Sequence, residues 1–273
     1  MNKYKLDGII GEGQFSQVFK GIHKRKKYPV ACKMELIDQP YTLLPHECKI
    51  LQYLYREGCH FVPQIYWFGI DNLHRCCVMQ LYDCDLGLYL QETILNLQQK
   101  NKLFVQMISM IRYIHSNFVL HRDLKPENFM VANNELFLID FGLSHFYVDD
   151  DQNHIENVYK EHIIGNRRYA SYFVMDGNTY SRRDDILSLG YIYFYILEQT
   201  TPWDEPPLFD NPKQYQDTFL NHPLNKWYRT NKRWDEIKKI DNIPINLFKY
   251  LEYVYNIGYM IRPDYETIQQ IFV

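Results

Sequence analysis

Asp123, Lys125, Asn128 and Asp140 fall within the 22 residues HRDLKPENFMVANNELFLIDFG (121–142), where polar groups alternate with apolar positions. The run from Glu135 to Asp140, ELFLID, has strand character, and the Asn133-Asn134 pair before it predicts a turn. A hairpin here brings two short loops face to face, one carrying Asp123 and Asn128, the other Asp140. Carboxylate and amide oxygens gathered this way suit Mg²⁺, a hard cation that takes oxygen ligands and keeps substrate phosphate in its shell. The carboxylate of Asp123 is then free to accept a proton from an attacking hydroxyl.

Such a stretch must be held by the rest of the chain. From Lys5 to Met34 the sequence predicts three strands, YKLDGII, FSQVFKGIH and YPVACKM. GEGQF lies between the first two, and glycine lets a strand–turn–strand backbone fold closely over phosphates. The basic run His23 to Lys27 reads as a solvated hairpin tip. HECKILQYLY has helical periodicity. FVPQIYWFG and HRCCVMQLY, separated by a turn at Ile70-Asp71-Asn72, complete a five-stranded sheet. Further on, Leu103, Phe104, Met107, Ile108, Ile111 and Ile114 recur at helical spacing, which marks one buried face of a helix over 97–117. That helix delivers the chain to His121. The segment Leu143 to Arg168 has little periodicity, and loops of that length in a compact domain carry function. Residues 201–245 hold six of the twelve prolines and read as irregular.

Composition narrows the classes. A chain of 273 residues can bury one large core, and a net charge of −3 gives no drive toward nucleic acid or anionic membrane. The longest apolar run, Ile186 to Leu197, is too short to span a bilayer, and MNKYKLDGII lacks a signal-peptide core. Six cysteines without a C-x-x-C pair signal neither zinc nor a disulfide framework; they read as small apolar fillers in a reducing compartment. The excess of tyrosine, 24 residues, is consistent with an AT-rich genome such as that of a protist or large virus and says nothing of mechanism.

H-R-D-L-K-P-E-N followed by D-F-G resembles the catalytic core of the eukaryotic protein kinases. The resemblance implies Asp123 as catalytic base, Lys125 beside the transferred phosphoryl group, and Asn128 and Asp140 as metal ligands. Gly11-x-Gly13-x-Phe15-Ser16-x-Val18 resembles the kinase glycine loop with Ser16 in place of its third glycine. Val30-Ala31-Cys32-Lys33 matches the third kinase strand, so that Lys33 holds the α/β-phosphates and pairs with a helix glutamate, here Glu47. Met79 to Tyr82 falls at the gatekeeper and adenine-binding hinge. The implied ATP site is Ile10, Gly11, Glu12, Gly13, Gln14, Phe15, Ser16, Gln17, Val18, Ala31, Lys33, Met79 and Leu81.

G-x-x-R-Y-A-S from Gly165, S-R-R-D-D-x-x-S-L-G-Y from Ser181 and Arg262-Pro263-Asp264-Tyr265 narrow the resemblance to the casein kinase 1 family. It runs from Ile10 to Phe272 and is poorest over 200–245. The chain departs from most protein kinases by having Tyr169-Ala170-Ser171-Tyr172 where they carry A-P-E. The implied fold is α+β and bilobal, a single kinase domain over 1–273 with a β-sheet N-lobe over about 1–82, a helical C-lobe over about 83–273 and ATP between them. In that fold Asp185 anchors the catalytic-loop backbone, while Arg182 and Arg183 are scaffold. The implied activity is transfer of the γ-phosphoryl group of Mg-ATP to protein Ser/Thr hydroxyls, Lys125 pointing to serine/threonine specificity. A pseudokinase scaffold and a small-molecule phosphotransferase are the rival classes. Arg168 matches a position that reads acidic or phosphorylated sites in that family. Asp149, Asp150, Asp151, Glu156 and Glu161 make the neighbouring segment acidic, so the expectation is a weakened preference for such sites. Protein substrates, no nucleic acid, no membrane and a monomer are expected, inside the cell: cytoplasmic with nuclear entry open, or in host cytoplasm if viral.

Overall fold

The computed structural model describes residues 1–13, 16–206 and 219–273. The chain divides into two compact units: residues 1–85 with 129–143, and residues 86–128 with 144–273. The boundary near 82 expected for the N-terminal lobe falls at Asp85, and the hairpin after Asn128 groups with the N-terminal unit.

Strand alternation builds the first unit. β1 (Tyr4–Glu12), β2 (Gln17–His23), β3 (Pro29–Leu36), β4 (Ile65–Asp71) and β5 (His74–Gln80) form an antiparallel sheet in the order β1-β2-β3-β5-β4. Successive side chains of a strand point to opposite faces. Val30 and Cys32 of β3 therefore join Cys76 and Val78 of β5 in one cluster, with Tyr4. Ala31 joins Cys77 and Met79 in another, which α1 (Leu44–Arg56) covers with Leu44 and Cys48. Cys32, Cys48, Cys76 and Cys77 fill this core as buried thiols. Leu44, Leu51 and Leu54 of α1 are fully buried, and each such burial stabilises by about 1.5–3 kcal/mol. The N-terminus of α1 has no side-chain cap of its own. Glu35 of β3 supplies one, accepting from the backbone N–H of Leu43 and Leu44 and from the Thr42 hydroxyl.

Lys24 to Lys27 are exposed at the β2–β3 tip, as expected of a solvated turn, but His23 is buried, its Nδ1 accepting from the N–H groups of Arg25 and Lys26. The turn after β4 lies one step later than expected: Asp71 still pairs with His74, and Asn72 takes the left-handed conformation at φ 52°. Asparagine adopts that region more readily than isoleucine or aspartate, which fixes the turn there. β8 (Phe129–Ala132) and β9 (Glu135–Leu138) form the expected hairpin around Asn133 and Asn134, both at positive φ, with β6 (Cys84–Asp85) beside β8.

The second unit is mainly helical. α2 (Leu86–Glu92) leads to α3 (Leu97–Ser116), which Asn96 and Gln99 start with a reciprocal capping box. α3 buries Phe104, Met107, Ile108, Ile111 and Ile114 as its spacing requires, whereas Leu103, expected on the same face, is only half-buried. β7 (Val119–Leu120) pairs with β10 (His145–Phe146), and α4 (Tyr172–Met175) precedes α5 (Arg182–Glu198), which is buried along most of its length. In the stretch expected to be irregular the chain forms α6 (Pro223–Asn231) and α7 (Trp234–Ile237); proline at the first turn of α6 starts that helix rather than breaking it. α8 (Ile245–Tyr255) and α9 (Tyr265–Gln270) complete the unit. Many tyrosines serve here as core residues with a polar end: Tyr191 bonds Tyr255 through their hydroxyls, and Tyr250 donates to the Ile186 carbonyl.

Candidate active site

In the first unit, two periodicities bring Lys33 and Glu47 together. Lys33 lies on the Ala31 face of β3, and Glu47 on the Leu44/Leu51/Leu54 face of α1. Lys33 Nζ sits 2.7 Å from Glu47 Oε2 and 2.9 Å from Asp140 Oδ1. Burial acts to lower the lysine pKa, but the two carboxylates outweigh it and hold the ammonium above the usual lysine range. Asp140 has φ 63°, a left-handed conformation that aspartate pays for in strain and that clusters at functional sites. Phe141 after it is fully buried. Val18, Ala31, Met79 and Leu81, four residues of the expected ATP site, pack in one cluster on the Lys33 side of the sheet. Gly11 pairs with Val18 and Glu12 with Gln17, and Gly13 N–H donates to the Ser16 carbonyl, closing the glycine loop. Gln17 Nε2 also donates to Glu12 Oε1 at 2.7 Å, and Ile10 is exposed. Gln14 and Phe15 lie outside the described residues.

In the second unit, Asp185 at the start of α5 holds the loop that carries Asp123. Its Oδ2 accepts from His121 N–H at 2.8 Å, its Oδ1 from Arg122 N–H at 2.9 Å, and His115 Nε2 lies 3.0 Å from Oδ2. Burial alone raises a carboxyl pKa; these bonds outweigh it and keep Asp185 below its ordinary value. A carboxylate can only accept, so the His115 hydrogen is on Nε2, and Nδ1 accepts from the Tyr265 hydroxyl at 2.6 Å. Beyond this anchor Asp123 is buried with three partners. Oδ1 accepts from Asn166 N–H at 2.7 Å, Oδ2 lies 2.8 Å from Lys125 Nζ, and Asn128 Nδ2 donates to the Asp123 carbonyl at 2.8 Å. Asn128 Nδ2 also approaches Oδ2 at 3.4 Å, so its amide nitrogen is committed to Asp123 and its oxygen is the remaining acceptor.

The sequence offered no sign of what holds residues 165–171. Gly165 has φ 86°, and a Cβ there would overlap the Arg122 carbonyl oxygen. Lys232 is fully buried, and its Nζ donates to the carbonyls of Arg167 at 2.7 Å and Ala170 at 2.8 Å, with Met175 Sδ at 3.7 Å. The rings of Tyr191, Trp203 and Tyr228 surround it at 5.0–5.3 Å. Burial holds its pKa well below the lysine range, with Asp204 acting the other way. Arg168, expected to face substrate as an available cation, is instead ion-paired to Asp204. Asp204 is itself fixed by Thr200 Oγ1, Thr201 N–H and Thr201 Oγ1 at 2.6–2.8 Å. Asp149, Asp150, Asp151, Glu156 and Glu161 are all exposed. Asp149 caps a turn through the N–H groups of Asp151 and Asn153.

Residues 4–259 match the protein kinase domain family. The chain is 30% identical, over 99% of its length, to "Casein kinase I homolog RAG8" of Kluyveromyces lactis and to "Casein kinase I homolog 2" of Saccharomyces cerevisiae. It covers 50% and 49% of those proteins, so it spans about half the length of the relatives it matches. A small antiparallel sheet with one helix, a mainly helical remainder and a family match across most of the sequence agree on an α+β architecture, and the chain belongs to the protein kinase family.

Proposed function

We propose that this chain is a catalytically competent serine/threonine protein kinase of casein kinase 1 type, transferring the γ-phosphoryl group of ATP to protein hydroxyls. The observation that carries the reading is the setting of Asp123: a buried carboxylate oriented by Asn166, Lys125 and Asn128 on a loop that Asp185 anchors. In the proposed reaction Asp123 takes the proton of the attacking Ser or Thr hydroxyl. Lys125 swings from Asp123 to the phosphoryl oxygens, and Lys33, held protonated and aimed by Glu47, neutralises the α/β-phosphates. The glycine loop, Ala31, Met79 and Leu81 take the rest of the nucleotide. Asn128 and Asp140 offer an amide and a carboxylate oxygen, hard donors that fit Mg²⁺. When bound, Mg²⁺ would supply charge neutralisation on the phosphate oxygens.

Labelled phosphate from Mg-ATP should appear on Ser/Thr of casein and of a peptide library, and should vanish in Asp140→Asn. Nucleotide binding without transfer to any protein would favour the scaffold reading, and transfer only to small hydroxyl compounds the phosphotransferase. A monomer acting on proteins in a reducing compartment, cytoplasmic or nuclear, goes with this reading; the buried free thiols support it. We propose further that acidic or phosphorylated sites are read weakly, because Asp204 already neutralises Arg168 and the neighbouring segment is acidic. On a peptide array Asp204→Asn should raise the preference for acidic sites severalfold over wild type. A strong phosphoserine requirement in the wild type would sink the idea.

A further inference from the structure

A cavity of about 270 Å³ in the second unit belongs to none of the machinery above. It is lined by His115, Ser116, Phe118, Tyr147, Arg182, Arg262 and Tyr265. Two of these are guanidinium groups and none is a carboxylate. Arg182 lies over the Tyr147 ring at 4.6 Å and gives Nη2 to the Met260 carbonyl, yet its Nε is buried and lacks an acceptor. Such an orphaned donor is costly unless a ligand supplies the missing oxygen. Arg262 is exposed, and no hydrogen bond of its side chain is seen among the described residues. The neighbouring acidic side chains are engaged elsewhere: Asp185 is bonded to His115 and to the N–H groups of His121 and Arg122, Asp264 caps Thr267, and Glu266 pairs with Arg112. The walls are aromatic, from Phe118, Tyr147 and Tyr265.

We infer that this cavity is a binding site for a phosphate group, taken as a phosphorylated Ser or Thr side chain of a protein. Arg262 presents its guanidinium fork and Arg182, whose Nη1 and Nη2 are held by the Tyr147 hydroxyl and the Met260 carbonyl, adds its charge and its unpartnered Nε–H; together they match the oxygens of a dianion, and the aromatic walls match an apolar stem. A volume of about 270 Å³ lies at the small end of the range of ligand pockets and suits a side-chain-sized occupant. The site also has a route to the catalytic loop. His115 in its wall bonds Asp185, whose carboxylate holds the backbone of His121 and Arg122 next to Asp123. Tyr147, beneath Arg182, donates to the His115 carbonyl at 2.7 Å. A phosphate drawn between Arg182 and Arg262 would therefore act on the element that positions the proposed base.

The test is titration of the full chain, with a non-hydrolysable Mg-ATP analogue present throughout, by a phosphoserine peptide, its unphosphorylated form and inorganic phosphate. Saturable binding of the phosphopeptide, weakened about tenfold or more in Arg262→Gln and in Arg182→Gln, is the expected result. Arg262 is exposed, so its variant decides the matter if the Arg182 variant fails to fold. Equal binding of inorganic phosphate and phosphopeptide would keep the phosphate site and assign it to a free anion. No saturation at millimolar concentration, or the same affinity in wild type and Arg262→Gln, would overturn the inference. None of these outcomes depends on phosphoryl transfer, so a catalytically dead chain could still bind here, and an active one could fail to.

Discussion

Two buried lysines take opposite solutions to the same problem. Lys33 in the first unit keeps two carboxylates within 2.9 Å, and its charge is favoured. Lys232 in the second has no carboxylate within ion-pairing distance among the described residues; it is satisfied by two backbone carbonyls, a sulfur and three aromatic rings, and its charge is disfavoured. Desolvation weighs on both, so the difference lies in what each side chain is kept for. A lysine among carboxylates is a charge held ready for an anionic ligand. A lysine among carbonyls is a peg, and the segment it pegs, Arg167 to Ala170, follows directly on Asn166, whose N–H fixes Asp123.

The contrast can be broken most sharply at Lys33. Lys33→Met should lower phosphoryl transfer by about 10²–10³-fold or more in initial rates, and calorimetry on the same preparation should show a loss of stability as well, because the buried Glu47 carboxylate is left without its cation. Lys232→Met should act through the backbone instead. It strands two buried carbonyls, at about 1–3 kcal/mol each, offset in part by the desolvation of the ammonium. We expect a loss of stability of about 2 kcal/mol by urea unfolding and a raised KM for peptide with the KM for ATP unchanged. An unaltered peptide KM would show that Lys232 does not set the 167–170 backbone.

The smallest effect concerns His115, whose charge, like that of Lys232, burial disfavours. Its pKa is lowered by desolvation, against the pull of Asp185. The unfolded chain then takes up the proton first as pH falls below the ordinary histidine value near 6.5, so stability is full above that value and declines below it. The slope from one such group is at most about 1.4 kcal/mol per pH unit. Chemical denaturation from pH 7.5 to 5.5 should show a steeper loss in wild type than in His115→Gln, and parallel curves would count against it.

Much of the proposed site was legible because the residues that carry it are close in sequence or lie on regular elements. Asp123, Lys125 and Asn128 sit within six residues, and the Asn133-Asn134 turn returns the chain toward Asp140. Lys33 and Glu47 were implied by the resemblance of Val30-Ala31-Cys32-Lys33 to the third kinase strand, and the period of two on β3 and the three-to-four spacing on α1 are what bring them together. The turn after β4 was misplaced by one step because Ile70-Asp71-Asn72 offers two polar turn formers; the pairing of Asp71 with His74 and the left-handed conformation of Asn72 set it at the second.

By itself, then, the sequence determined the strands of the first unit, helix α3 and the short-range cluster around Asp123, since local periodicity and turn chemistry act over a few residues, while the proline-rich stretch 201–245 showed no sign of α6 and α7. The tertiary structure alone decided which charges remain available. Lys232 reaches Arg167 across 65 positions, Asp204 takes Arg168 across 36, and Arg182 and Arg262 meet around one cavity 80 positions apart. No propensity or spacing rule acts over such separations. Pairing in a desolvated interior depends on which side chains the packed helices bring within hydrogen-bond reach.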